Sequence, residues 1–195
     1  PFVFAFDRTK HLGKTTWTRN YETIVTFDFN KRPISCSVWQ YINGHLYGIE
    51  AIKLDNSDIY KLCDYINLHY PGALWLVTGD ATGQNSTALV QDNINFYTVI
   101  KQRLSLGAGQ LKVPTVNPPV KENQVLVNAV LAMIPTTIDP DRCKDLIFDF
   151  ENVRILPDGS IEKRNREDPA QCSDLLDGFR YLCNTFFHWL LKQGK

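Results

Sequence analysis

With 195 residues the chain is long enough to bury one substantial core and needs no second domain. Its 21 basic residues balance 21 acidic ones, which excludes a strongly basic, sequence-independent DNA coat and confines nucleic-acid contact to local patches such as Lys31-Arg32 or Lys163-Arg164. Hydrophobic residues at 44% and charged residues at 22%, without a low-complexity tract, exclude extended disorder away from the termini.

Residues 1–20 have no clear period and begin at Pro1 without a Met. They are expected to be a linker segment left from a longer chain, with the folded domain spanning 21–195. Leu12-Gly13-Lys14-Thr15-Thr16 ends like a phosphate-binding loop. The earlier glycine that such a loop needs falls at Arg8, however, and no apolar strand leads in, so no nucleotide loop is expected here.

From Thr23 to Phe29 the pattern alternates toward β, and Ile34 to Tyr41 follows after the break at Lys31-Arg32-Pro33. Asn43-Gly44 predicts a tight hairpin turn into a third strand, His45 to Leu54, giving an antiparallel three-strand start. Asn56-Ser57-Asp58 supplies capping chemistry for a helix to about Leu68, with Ile59, Leu62, Cys63 and Ile66 on one face. Pro71-Gly72 stops that helix. The continuous apolar run Ala73 to Thr78 then predicts a central strand covered on both faces.

A helix is expected from about Thr87 to Leu104, and a short strand over Gln110 to Pro114. Asn117-Pro118-Pro119 breaks the chain before a helix from Lys121 to Met133, with Val125, Val127, Val130 and Leu131 as core candidates. Leu146 to Leu156 reads as a strand, Pro157 to Ser160 as its turn and Ile161 to Arg164 as the return. Asp168-Pro169 opens the last helix, Ala170 to Lys192, whose buried stripe is Leu175, Leu176, Phe179, Leu182, Cys183, Phe186 and Leu190. This order predicts an α/β mixed sheet, antiparallel at first and parallel later, flanked by helices.

Cys36, Cys63, Cys143, Cys172 and Cys183 are odd in number and form no CxxC pair, so they are expected to be free thiols in a reducing compartment. The four histidines share no ligand spacing with one another or with the cysteines, so zinc is not expected. No apolar stretch approaches the ~18 residues of a membrane span, and no secretory leader is visible.

Three acidic stretches carry the chemistry. Asp28 ends the first strand, with Thr26, Asp28 and Asn30 on one face and Val25, Phe27 and Phe29 on the other. A strand disfavours Asp, and a buried unpaired carboxylate costs several kcal/mol, so Asp28 requires compensation unless it lies on a solvent-facing edge. Asp80 follows the buried fourth strand at its carboxyl end, where open α/β sheets bind ligands. Gly79 and Gly83 flank it and permit close backbone approach, and Thr82, Ser86 and Thr87 are possible hydrogen-bond partners. Asp174 and Asp177 share one face at the start of the last helix. An ordinary turn explains Asp80 equally well, and helix-start acids favouring the macrodipole explain the last pair. Should the fold bring all of them together, convergent carboxylates are what hard divalent cations require.

The set Asp28-Phe29-Asn30, Gly79-Asp80-Ala81-Thr82-Gly83 and Leu176-Asp177-Gly178-Phe179-Arg180-Tyr181, with Asn117-Pro118-Pro119 ahead of a helix containing Asn123 and Asn128, resembles the C-terminal nuclease domain of large terminase subunits from tailed double-stranded DNA phages. The resemblance covers about residues 20–190. It implies an RNase H-like fold, two divalent ions, Mg or Mn, and cleavage of concatemeric double-stranded viral DNA during genome packaging. Carried over, Asp28 bridges two metals, Asp80 binds one, and Asp174, Asp177 or both complete the cluster. Asn30 and Thr82 are supporting residues, Thr82 standing where Ser is common, and Lys31 and Arg32 are candidate DNA contacts. Gly178 replaces the family's usual Ala.

The implied partners are double-stranded DNA, an N-terminal ATPase motor domain of the same parent chain, the portal and the small terminase subunit, with no membrane. The implied location is the host cytoplasm at the procapsid, and no ATPase activity is expected of this chain. A junction-resolvase or transposase-like nuclease would place acids on the same elements. A non-catalytic packaging module would carry them as surface or capping residues.

Overall fold

The computed structural model describes residues 1–29, 34–54, 58–85, 94–162 and 173–193. Its sheet has five strands: β1 (Glu22–Phe29), β2 (Ile34–Ile42), β3 (His45–Leu54), β4 (Leu74–Gly79) and β5 (Thr136–Ile138), in the order β4-β1-β2-β3-β5. β1, β2 and β3 pair antiparallel, β4 joins β1 in parallel and β5 joins β3 in parallel. The turn between β2 and β3 is the expected one, with φ of 51° at Asn43 and 79° at Gly44, the two left-handed residues that a two-residue hairpin loop demands.

Six helices are described: α1 (Arg8–His11), α2 (Ile59–His69), α3 (Phe96–Arg103), α4 (Val120–Met133), α5 (Lys144–Asn152) and α6 (Asp174–Phe187), which continues into a 3-10 turn over His188–Lys192. None of the described helices is long and apolar enough to cross a membrane. Asp58 caps α2 by accepting from the Lys61 N–H at 2.9 Å, as the Asn-Ser-Asp sequence predicts. The strand period then sorts the core into two layers. Ile24 and Trp39 face α4, α5 and α6, while Val25, Phe27, Cys36 and Val38 face α2 and α3.

The first twenty residues, expected as a linker, send two side chains into the core. Phe2 and Val3 are buried in the α4–α6 layer, and Asn128 on α4 accepts the N–H of Phe4 and of Ala5, each at 2.8 Å. The loop-like stretch at Leu12 runs extended: Leu12 bridges Ile138, and the Thr15 hydroxyl donates to the Gly48 carbonyl.

The expected strand over Leu146–Leu156 is instead helical as far as Asn152, as α5. Leu146, Ile147 and Phe150 are buried at positions i, i+1 and i+4, and Phe148 is exposed, which is a helical stripe. Of the expected return hairpin, a single antiparallel bridge between Ile155 and Ile161 lies within the described residues, which end there at 162. The strand that completes the sheet is β5, only three residues long. The expected strand at Gln110–Pro114 is a single bridge from Leu111 to Val77. The helix expected from Thr87 begins instead at Phe96, since Asn95 is extended and caps it there; residues 86–93 lie outside the described residues, as do the expected start of the last helix, Asp168 to Ala170, and Cys172. Val125, a core candidate, is 59% exposed, and Leu126 is buried beside it. The four described cysteines are free and buried.

Candidate active site

Parallel pairing sets Phe27 opposite Gly79, so Asp28 and Asp80 follow side by side at the carboxyl ends of β1 and β4. The Asp80 N–H donates to the Phe27 carbonyl at 3.0 Å, which fixes that alignment. Asp28 is 5% exposed, which rules out the solvent-facing edge. Its face of the sheet is the one that α6 covers: Thr26, two residues earlier, donates its hydroxyl to the Gly178 carbonyl at 2.7 Å. Across β2 and β3 the same row continues as Ser35 and Lys53. Ser35 is fully buried, and its hydroxyl has no hydrogen-bond partner among the described residues.

The chain turns sharply after β4. Gly79 has a φ of 151°, and a Cβ there would stand 2.5 Å from the Phe27 carbonyl oxygen and 2.7 Å from the Tyr97 hydroxyl, so only glycine lets β4 end this close to β1. Asp80 then caps a 3-10 turn over Ala81–Gln84, its Oδ1 accepting from the Thr82 N–H at 2.9 Å. Tyr97, on α3, donates to the Asp80 carbonyl at 2.8 Å, and Asn117 donates to Asp80 Oδ1 at 2.8 Å. Thr82 thus contributes through its backbone, and its side chain is exposed.

On α6, Asp174 and Asp177 are both buried. Arg180 Nη1 lies 2.5 Å from Asp177 Oδ1, and the Ser173 hydroxyl donates to Asp177 Oδ2 at 3.1 Å. Arg180 is fixed in turn by Asn123 of α4, which accepts from Nε at 2.9 Å. Tyr181 lies in the field of three acids: burial raises its pKa most, followed by Asp28, Asp177 and Asp80. Burial likewise raises that of Tyr97, followed by Asp80 and Asp28. Asp28, Asp80 and Asp177 therefore share one electrostatic neighbourhood.

Asp174 has a different neighbour. Asp149 of α5 accepts from the first N–H groups of α6, Leu175 at 3.1 Å and Leu176 at 3.2 Å. Burial raises the Asp149 pKa from 3.8 to about 7; Lys53 opposes the shift and Asp174 adds to it. A strand pattern over these residues gives Asp149 no role, and the signal that would have found it is the helical spacing of Leu146, Ile147 and Phe150. Asn117 carries no local signal beyond a chain break.

Every candidate ligand is a carboxylate, the donor type suited to Mg or Mn, and the orphaned Ser35 hydroxyl lies beside Asp28. Asp28 and Asp80 fit as paired donors. Among the described residues, however, no group of three His, Cys, Asp or Glu side chains stands close enough to hold one ion, so the α6 acids do not converge fully on that pair. Asn30, Lys31, Arg32, Lys163 and Arg164 lie outside the described residues, as do Ser86 and Thr87.

No protein-family model matches the chain, and no curated protein matches it. Among solved structures it is similar to the P22 large terminase nuclease domain, with a TM-score of 0.66 and 11% identity over 98% of this chain and 92% of that one. It is also similar to the large terminase of a thermophilic bacteriophage in complex with ADP, with a TM-score of 0.67 and 16% identity over 95% of this chain and 44% of that one. The large terminase nuclease from thermophilic phage G20c with bound magnesium gives a TM-score of 0.55 and 13% identity over 94% of this chain and 95% of that one. The chain thus spans less than half the length of the ADP-bound large terminase and nearly the whole of the two nuclease domains. At these identities what is shared is the fold, an RNase H-like mixed sheet flanked by helices.

Proposed function

We propose that this chain is the nuclease domain of a phage large terminase, a metal-dependent endonuclease that cleaves concatemeric double-stranded viral DNA during packaging. The observation that carries the reading is the side-by-side placement of Asp28 and Asp80 at the ends of two parallel strands, under a helix bearing Asp174 and Asp177. Asp28, Asp174 and Asp177 are buried, and buried carboxylates are costly unless positive charge compensates them. Solved nuclease domains of the same fold, one of them with bound magnesium, support the assignment.

Asp28 and Asp80 would hold two divalent ions, Mg or Mn, with Asp174 or Asp177 completing the set. When bound, such a pair supplies the positive charge that an in-line displacement needs at the attacking and leaving oxygens of a phosphodiester. The chain's own part is to keep the acids in place. Gly79 and Tyr97 fix the backbone at Asp80, and Arg180 and Ser173 hold Asp177. Asn30 and Thr82 are supporting residues in this reading, and Lys31 and Arg32 contact phosphates. The motor domain of the parent chain, the portal and the small terminase subunit are its partners at the procapsid in the host cytoplasm, and ATP turnover belongs to the motor rather than to this chain.

The test is cleavage of supercoiled plasmid with Mn, Mg or EDTA, beside Asp28→Asn and Asp80→Asn. Metal-dependent nicking and linearisation, lost in both variants, is the expected result. No cleavage with any metal, together with no thermal shift on adding Mn, would overturn it in favour of a binding module.

A further inference from the structure

Asp80 stands on a loop, where a carboxylate has rotamers to lose on binding a cation, yet its side chain is already fixed. Asn117 uses both ends of its amide on consecutive residues: its Oδ1 accepts from the Ala81 N–H at 2.8 Å, and its Nδ2 donates to Asp80 Oδ1 at 2.8 Å. The amide orientation is dictated by these partners, since a flip would set N–H against N–H and oxygen against carboxylate. With the Thr82 N–H, both donors to this carboxylate among the described residues fall on Oδ1. Oδ2 is thereby the oxygen left to give to a cation.

Asn117 is itself rigidly mounted. Pro118 restricts its backbone toward extended geometry, and Pro119 is the cap of α4. The same helix, one turn in, presents Asn123 to Arg180, which holds Asp177. The segment leading into α4 therefore braces the acid on the β4 loop, and α4 itself braces, through Arg180, an acid on α6.

Resting on the nuclease reading above, we propose that Asn117 is a positioning residue for the metal site: it orients the Asp80 carboxylate from behind and couples it through α4 to Asp177. Partners behind a metal ligand characteristically contribute ~10–100-fold in metal affinity.

The experiment is Mn titration by calorimetry on the whole chain as wild type, Asn117→Ala, Asp80→Asn and the double variant, with thermal unfolding of each metal-free. Expected is Mn binding ~10–100-fold weaker in Asn117→Ala, and no further weakening when Asn117→Ala is added to Asp80→Asn, because Asn117 acts through that carboxylate. A merely structural role would lower the unfolding temperature without this dependence on Asp80. Wild-type binding with Asn117→Ala within twofold of it overturns the inference and leaves the nuclease reading standing. Equal weakening in both backgrounds also overturns it. No Mn or Mg binding by the wild type overturns both readings together. Should Asn117→Ala fail to fold, Asn117→Ser, whose hydroxyl is too short to reach both partners, is judged by the same outcomes.

Discussion

Thr26 and Gly178 lie 152 positions apart and are joined by a 2.7 Å hydrogen bond from the threonine hydroxyl to the glycine carbonyl. The bond ties β1 two residues before Asp28 to α6 one residue after Asp177, so it sets the spacing between the acids of the strand and the acid of the helix. A Cβ on Gly178 would meet Thr26 Cγ2 at 3.6 Å, ordinary contact. Gly178→Ala should therefore stabilise the chain by about 0.5–1 kcal/mol, by removing a helix-interior glycine, without loss of Mn binding. Thr26→Val should cost about 1 kcal/mol. Urea unfolding of both variants checks this, and destabilisation by Gly178→Ala would show the strand–helix contact to be tighter than described.

Gly79→Ala should behave in the opposite way. The added Cβ meets the Phe27 backbone and the Tyr97 hydroxyl, and neither is a flexible side-chain end. A loss of about 3 kcal/mol or more is expected from overpacking and backbone strain together, read as a drop in the urea midpoint. A midpoint unchanged from wild type would mean that β4 can end elsewhere.

Asp174 and Asp177 should separate in their effects. Both oxygens of Asp177 are engaged, by Arg180 and by Ser173, inside the protein. Asp177→Ala leaves a buried guanidinium without its partner and should cost about 3 kcal/mol. Asp174→Asn, which keeps the side chain's size and one acceptor oxygen, should cost less stability than Asp177→Ala while weakening Mn binding. The two variants measured side by side, by unfolding and by Mn titration, rank them. Equal stability losses would contradict the division.

Asp149 gives a pH signature. The folded chain holds the Asp149 proton to about pH 7, whereas an unfolded chain releases it near the ordinary 3.8. Between those values the unfolded state binds fewer protons. Stability therefore falls as pH rises, by up to about 1.4 kcal/mol per pH unit, and the cost is fully present above 7. Lys53 and the Leu175 and Leu176 N–H groups oppose the shift and Asp174 reinforces it. Asp149→Asn keeps an acceptor for the helix N–H groups and removes the charge. In EDTA its stability should lose this slope, so that the variant gains on the wild type between pH 5 and pH 8. Parallel pH profiles for the two proteins would refute the assignment.

Much of this arrangement was legible in the sequence because it rests on local chemistry. Asn43-Gly44 fixed a turn and the alternation from Thr23 to Phe29 fixed a face, whereas the apolar run before Asp80, expected as a central strand covered on both faces, forms β4 at the end of the sheet order, with Leu74 52% exposed. The failures came where local pattern is ambiguous. Leu146-Ile147-Phe148-Asp149-Phe150 satisfies an apolar strand as well as a helix, and only the burial of positions 146, 147 and 150 against α6 decides for the helix. β5 is too short, at three residues, to produce a period at all. Residues 1–20 have none either, yet Phe2 and Val3 pack into the core through Asn128 on a distant helix. The grip of Asn117 on Asp80 spans 37 positions, and nothing near either residue announces it.

The parallel seating of β4 against β1, closed over by α6, has a consequence for the order of synthesis. β1 and β2 can pair as soon as their hairpin partners leave the ribosome, but Asp28 meets Asp80 only after β4 is made, and neither meets the α6 acids until the last helix follows. In a nascent chain the carboxylates therefore come together in two stages, Asp28 with Asp80 once β4 is made and the α6 acids only after α6 follows.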